Sequence, residues 1–295
     1  MRSDRTWLPP ALFVATLAST MYMGAWHHAY FLVGFSDDAA RFALLPGAWY
    51  SFTILAILGT HELGHYYACR YYRVDASPPY FLPVPIVPTG TFGAFIRIRQ
   101  RIPTKAMLFD IGAAGPIAGF VVAVPALFAG VALSRVTPLP PADSVELITL
   151  GEPLLFRAAA WLVWGALPDG HTINLHPMGF AAWFGLLMTA LNLFPIGQLD
   201  GGHISYAALG SRSTGVTLGG VAVVVGLTFF SLSWLLWAVL MVTMLVVFGP
   251  RHPRTLDDHV PLDSRRRLVA LATAAIFVLC FTPAPIRIEG LLTGP

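Results

Sequence analysis

Long apolar stretches recur along the chain, and short polar segments separate them. A helix that spans a bilayer needs about 20 mostly apolar residues, and seven stretches approach that length. We therefore predict an all-α polytopic membrane protein with about six or seven transmembrane helices, the last of which is short. The predicted spans are 8–26, 43–69, 106–133, 178–207, 214–230, 232–249 and 267–284.

The composition agrees with a membrane protein. Hydrophobic residues make up 56% of the 295 residues, and charged residues make up only 11%. A soluble domain carries roughly 25% charged residues, so this chain has too little polar surface to face water on all sides. The net charge of +3 comes from basic residues in short loops, and this distribution argues against a nucleic-acid partner.

The basic residues orient the predicted spans. Positively charged loops stay cytoplasmic, so we predict a multi-pass protein of the cell (inner) membrane with its N-terminus inside. The basic loop 250–266 is either a topology anchor, which we favour, or a binding site. If the spans alternate, the following basic residues fall on the inner side: Arg2, Arg5, Arg70, Arg73, Arg97, Arg99, Arg101, Lys105, Arg212, Arg251, Arg254, Arg265, Arg266 and Arg267.

The segment 76–103 is rich in proline, yet too apolar for a simple linker. Gly90-Thr91-Phe92-Gly93 has the composition of a turn, and residues 94–99 alternate as in a strand. We predict a membrane-associated β-hairpin that dips toward the bilayer from the inner side, with an ordered surface loop as the alternative. Such backbone is tolerated in a membrane only where it packs on protein or lines a wet cavity.

The second predicted span contains the motif His61-Glu62-Leu63-Gly64-His65. On a helix, the two histidines lie on one face, so both can bind one metal ion, and zinc suits imidazole ligands. Glu62 can then reach a water molecule as general base. An unpaired charge in mid-membrane costs at least about 2.5–3.5 kcal/mol. This cost favours a functional site over a polar cluster that only holds helices together.

A catalytic zinc site needs a third protein ligand, and two intramembrane acids are candidates. Asp200 ends the stretch 192–200, in which Pro195 and Gly197 should break the helix. A carboxylate at such a break can point inward, and the predicted topology places Asp200 at the depth of the histidines. The alternative for Asp200 is a C-terminal helix cap. For Asp110 we favour a loop or backbone partner over a functional role.

Three glycines in the third predicted span recur every three or four residues. Small residues at this spacing allow helices to pack closely in membranes. We therefore expect the third span to pack tightly against the helices that carry the candidate ligands. The glycines are Gly112, Gly115 and Gly119.

An H-E-x-x-H motif in an apolar span, followed much later by N-x-x-P-x-x-x-x-D-G, resembles the site-2 protease family of intramembrane metalloproteases. The segments 90–94 and 110–116 are also similar to that family. The resemblance covers about residues 45–210 and implies a three-helix catalytic core. The predicted organisation is therefore an N-terminal span and outer loop (1–42), the catalytic core (43–210) and C-terminal spans (211–295).

The resemblance also implies roles for individual residues. His61, His65 and Asp200 would bind one zinc ion per chain, and Glu62 would activate the water. Asn192 would help to hold the substrate or its oxyanion.

The function implied is that of a zinc endopeptidase that cuts in or near transmembrane segments of membrane proteins. Its partners would be the bilayer and a substrate with a transmembrane helix, and its site would face the cytoplasmic side. An extended part of the substrate would pair with the hairpin 81–99. The alternatives are a non-hydrolytic metal-binding protein or transporter, which should show inverted repeats, and an inactive scaffold.

Overall fold

The computed structural model describes residues 6–33, 43–85, 88–139, 147–257 and 259–289. Within them the chain is mostly helical, as predicted. The helices are α1 (Leu8–Val33), α2 (Ala48–Tyr71), α3 (Lys105–Ala132), α4 (Leu154–Trp164), α5 (Pro177–Asn192), α6 (Asp200–Leu209), α7 (Ser213–Leu227), α8 (Leu235–Phe248) and α9 (Ser264–Cys280). The strands are β1 (Tyr80–Pro83), β2 (Thr91–Phe95), β3 (Arg135–Pro138), β4 (Leu147–Leu150), β5 (His171–Asn174) and β6 (Ile286–Glu289).

Three helical stretches among the described residues are long and apolar enough to cross a membrane. They are Leu8–Leu32, Lys105–Ala132 and Asp200–Leu227. The stretches Leu154–Trp164 and Leu232–Phe248 are apolar but shorter. These helices fit a membrane protein, while the total of six or seven spans and the three-helix core stay predictions.

Residues 178–207 form two helices rather than one continuous span. Helix α5 ends at Asn192 and α6 begins at Asp200. Between them Gly197 has a φ of 54°, a left-handed conformation that favours glycine. The proline and glycine content of this stretch predicted the break, and the structure confirms it.

The chain divides into two compact units, and α3, α4 and α5 each have residues in both. In the first unit (residues 1–100, 118–139 and 159–185), α1 packs on α2, and β3 pairs antiparallel with β5. The segments carrying Gly24 and Gly47 meet so closely that a Cβ on either glycine would overlap backbone atoms of the other segment. The buried core of this unit includes Met23, Tyr50, Ile54, Leu55, Leu58, Phe81 and Ala181.

Strands β1 and β2 also lie in the first unit and pair antiparallel, with Tyr80 opposite Phe95. The turn before β2 is fastened to helices, since three side chains bind its backbone carbonyls. These contacts are Ser19 Oγ donating to Gly90 O (2.7 Å), Tyr50 OH donating to Thr89 O (2.7 Å) and His27 Nε2 at 2.7 Å from Pro88 O. The strand pairing is therefore anchored to α1 and α2, whereas its depth in a membrane stays a prediction.

The second unit comprises residues 101–117, 140–158 and 186–295. Here α6 packs on α7 and α9, α7 packs on α8, and β4 pairs antiparallel with β6. Asp263 caps α9, because its carboxylate accepts the backbone N–H of Arg266 at 3.0 Å. This bond and the Arg266 guanidinium hold the pKa of Asp263 below its usual value. The buried core includes Phe109, Ala113, Leu193, Ile204, Ala207 and Leu262.

Candidate metal centre

Helix α2 places His61, Glu62 and His65 together in the interior of the first unit. Their exposed fractions are only 6%, 6% and 7%. The two histidine Nε2 atoms lie 3.1 Å apart, and Glu62 Oε1 lies 4.0 Å from His61 Nε2. One helical turn therefore brings both imidazoles and the carboxylate to one point.

The spacing of the two imidazoles fits a zinc site. Zinc holds imidazole nitrogens at about 2.0–2.1 Å, and tetrahedral geometry then separates them by about 3.3–3.4 Å. The observed 3.1 Å falls about 0.3 Å short of that separation. A pair of buried imidazoles at this distance either shares one proton or directs both lone pairs at a cation. This donor set is one that suits zinc.

A glycine of α3 supports the metal-binding face of α2. A Cβ at Gly119 would lie 3.1 Å from His61 Cβ and 3.4 Å from His61 Nδ1. One turn earlier on α2, Gly185 of α5 leaves room for Ile57, which a Cβ would meet at 2.9 Å. The close packing expected at Gly119 is confirmed, and it leaves the His61 ring little freedom to move.

In the second unit, Asp200 is the first residue of α6, and Asn192 is the last of α5. Asp200 therefore starts a helix, so the alternative of a C-terminal cap is wrong. A Cβ at Gly202 would overlap the carbonyl of Gly197, so the chain turns tightly into α6. Gly112 of α3 packs on the same helix, where an added Cβ would lie 3.1 Å from His203 Cβ.

Within the first unit, His61 and His65 are two side chains suited to hold a single metal ion. Two neutral imidazoles together with a carboxylate are ligands typical of a catalytic zinc site.

Asp110 pairs with a residue of the predicted basic loop 250–266, as the expectation of a loop partner allowed, and the structure places that residue at the start of α9. Its carboxylate accepts two hydrogen bonds from Arg266, at 2.9 Å from Nε and 2.7 Å from Nη2. The sequence did not identify which loop residue this is, because the Arg266 guanidinium comes from a position 156 residues away along the chain. This bidentate ion pair joins α3 to α9.

A histidine pair beside α6 was also missed. His203 Nδ1 lies 2.7 Å from His252 Nε2, and the His252 ring stacks on Tyr206 at 4.4 Å. His252 Nδ1 donates to Pro253 O (2.7 Å), so in the neutral ring Nε2 accepts from His203. Burial lowers the pKa of His252, although the Pro253 carbonyl partly offsets that effect. The two histidines are 49 residues apart, so no helical spacing in the sequence indicates that they are in contact.

Comparison with known proteins points in the same direction. A family model described as Peptidase family M50 matches residues 49–233. An Arabidopsis thaliana protein named probable zinc metalloprotease EGY2, chloroplastic, is 31% identical over 252 residues, which are 83% of this chain and 43% of that relative. A rice (Oryza sativa subsp. japonica) protein named probable zinc metalloprotease EGY1, chloroplastic, is 31% identical over 242 residues, 79% of this chain and 40% of the relative. The chain thus spans less than half the length of these relatives. No solved structure matches it.

Proposed function

The chain belongs to peptidase family M50, the site-2 protease family, and from this premise we propose that it is an intramembrane zinc endopeptidase. Its substrates are membrane proteins, which it cuts in or near a transmembrane segment. The observation that carries this proposal is the buried cluster on α2, in which the histidine Nε2 atoms lie 3.1 Å apart beside Glu62.

The proposed metal site holds one zinc ion per chain. His61 and His65 supply two imidazole nitrogens, and Asp200 supplies a carboxylate oxygen. Asp200 belongs to the D-G motif that resembles the family's, and this motif follows the break between α5 and α6. A fourth position is left for water or substrate, as a catalytic site requires.

Glu62 acts as the general base and then as the general acid. When bound, zinc supplies a Lewis acid that polarises the scissile carbonyl and lowers the pKa of water. Glu62 accepts the proton of the attacking water and returns it to the leaving amine. Its burial keeps bulk water away, which strengthens these electrostatic interactions.

The substrate must be extended where it is cut, since a helix keeps its own backbone groups paired. In this proposal, the extended segment of the substrate pairs as an added strand with the β1–β2 sheet. The residues at the turn of that sheet are Gly90, Thr91, Phe92 and Gly93. Support comes from the anchoring of this turn by α1 and α2 and from Phe92, which is 69% exposed. Asn192 offers an amide that can hold the substrate or its oxyanion.

We place the site on the cytoplasmic side of a cell (inner) membrane. Arg70 and Arg73 follow His65 at the end of α2, and positive loops stay cytoplasmic. The partners are then the lipid bilayer and a substrate with a transmembrane helix.

Purified protein reconstituted in liposomes tests the proposal. The test substrate is a single-span helix with a Gly-Pro pair in its apolar segment and a tag at each end, so that cutting releases two labelled fragments. Glu62→Gln keeps the shape of the side chain but removes the base, and it should slow cleavage by about 10²-fold or more while zinc stays bound. Glu152→Gln, which removes an exposed glutamate near Arg157, is the matched control and should cut at the wild-type rate.

Equal cleavage by Glu62→Gln would rule out the role given to this residue. Zinc uptake into protein-containing vesicles, without cutting of any test helix, would instead favour the transporter alternative.

A further inference from the structure

A polar cavity of about 420 Å³ lies in the second unit, apart from the candidate metal ligands. The end of α6, the start of α7 and the loop after α8 form its walls. Its lining includes the hydroxyl of Tyr206, three serine or threonine hydroxyls and three basic side chains, and none of the residues that line it is acidic. The serine, threonine and basic residues are Ser211, Ser213, Thr214, Arg251, His252 and Arg254.

The cavity opens onto the N-terminal end of α7. The first turn of α7 contains no acidic residue. Guanidinium, hydroxyl and N–H groups all donate hydrogen bonds, so the walls match a ligand that only accepts them, such as a phosphate group.

Buried contacts fix the loop that carries the two arginines. Tyr206 OH accepts the backbone N–H of Thr255 at 3.1 Å, and the Tyr206 ring stacks on His252. Thr255 Oγ1 is buried and has no hydrogen-bond partner among the described residues. Lys105 Nζ lies 6.0 Å above the Tyr206 ring and adds positive charge to this region. Because burial lowers the pKa of His252, the arginines supply most of the positive charge in the lining at neutral pH.

An apolar surface leads to this cavity from the helices. At the end of α8, just before Arg251, Val246, Val247 and Phe248 are 78%, 65% and 59% exposed. Helix α7 belongs to the candidate span Asp200–Leu227. Exposed apolar side chains that end at a basic cavity suit a ligand with an acyl chain and an anionic head. A free phosphate ion would make no use of the apolar part.

We propose that this cavity binds the phosphate group of an anionic lipid headgroup, with the acyl chains along the exposed ends of α7 and α8. The start of the basic loop 250–266, with Arg251 and Arg254, then forms a binding site, while the loop as a whole stays a topology anchor. The inference is independent of the peptidase activity, because it uses none of the proposed zinc ligands.

Native mass spectrometry of the purified full chain in detergent tests this site. Three probes are titrated: phosphatidylglycerol, zwitterionic phosphatidylcholine and inorganic phosphate. The wild type should bind one phosphatidylglycerol at least about tenfold more tightly than phosphatidylcholine. Each basic residue near an anionic lipid contributes about 1 kcal/mol, so Arg251→Gln with Arg254→Gln should weaken phosphatidylglycerol binding by roughly 30-fold.

The matched control removes two other arginines predicted to lie on the same face. Arg101→Gln with Arg265→Gln changes the net charge equally and should leave phosphatidylglycerol binding unchanged. Ser211→Glu gives a second variant at an exposed position, and its carboxylate should repel the lipid phosphate. A melting curve without lipid checks that each variant is folded.

Three results would overturn the proposal. One is equal binding of phosphatidylglycerol by the wild type and by both cavity variants. Another is an equal loss of binding in the control variant, which would mean that general surface charge attracts the lipid. The third is inorganic phosphate binding as tightly as phosphatidylglycerol, which would assign the cavity to a free anion.

Discussion

A single methyl group tests how α3 supports the metal-binding helix. Gly119→Ala places a Cβ 3.1 Å from His61 Cβ and 3.4 Å from His61 Nδ1. Carbon atoms pack at about 3.5–4.0 Å, so His61 has to move by about 0.4–0.9 Å. Metal–ligand distances tolerate only about 0.2 Å. The substitution therefore displaces the imidazole by more than a zinc site accepts without loss.

In other metal sites, substitution of a residue that orients a ligand lowers the metal affinity by about 10- to 100-fold. We expect Gly119→Ala to weaken zinc binding by that factor, measured by competition with a chromophoric chelator. Gly219→Ala is the control: it lies on α7, where an added Cβ meets nothing within 4 Å. That substitution should leave zinc affinity unchanged and can stabilise α7 by up to about 1 kcal/mol through helix propensity.

Zinc binding by Gly119→Ala that is as tight as in the wild type would refute this reasoning. So would an equal loss in Gly219→Ala, because the effect would then not come from contact with His61.

Two further predictions concern stability. Burial, then His28 and Arg135, lower the pKa of His176 to about 4. Since the unfolded histidine takes up its proton near pH 6.5, stability should fall as pH drops from about 6.5 toward 4. His176→Asn, which can still accept the Met178 N–H, should flatten the fall in melting temperature over that range. Separately, a double-mutant cycle with Asp110→Asn and Arg266→Gln should give a coupling of about 1 kcal/mol, because both side chains are partly exposed.

Each of these predictions has its own control. His171→Asn changes a histidine on β5 and should keep the acid sensitivity of the wild type. Acid sensitivity that persists in His176→Asn would mean that another group takes up the proton. Additive effects of the Asp110 and Arg266 substitutions would mean that their ion pair contributes nothing to stability.

The local parts of the site could be predicted from sequence because each depends on a short stretch of chain. Helical geometry alone brings His61 and His65 to one face. Pro195 and Gly197 identify the break that starts a new helix at Asp200. The resemblance to the site-2 protease family depended on these two stretches, and the match to Peptidase family M50 confirms it.

The parts that could not be predicted depend on residues that are distant along the chain. His203 meets His252 across 49 residues, and Asp110 meets Arg266 across 156. Ser19 binds the carbonyl of Gly90 across 71 residues. No periodicity in a single chain carries that information. The strands β3 to β6 were missed for a related reason, since four-residue strands in loops are too short to show a reliable alternation.

The central claim is that His61, His65 and Asp200 together bind one zinc ion, and the zinc content of purified protein tests it most directly. After dialysis against zinc-free buffer, the wild type should retain about one zinc per chain. His61→Ala and Asp200→Ala should retain almost none, while Asp110→Asn, which removes the charge of the other candidate acid, should match the wild type. A full, tightly bound zinc in Asp200→Ala would contradict the account.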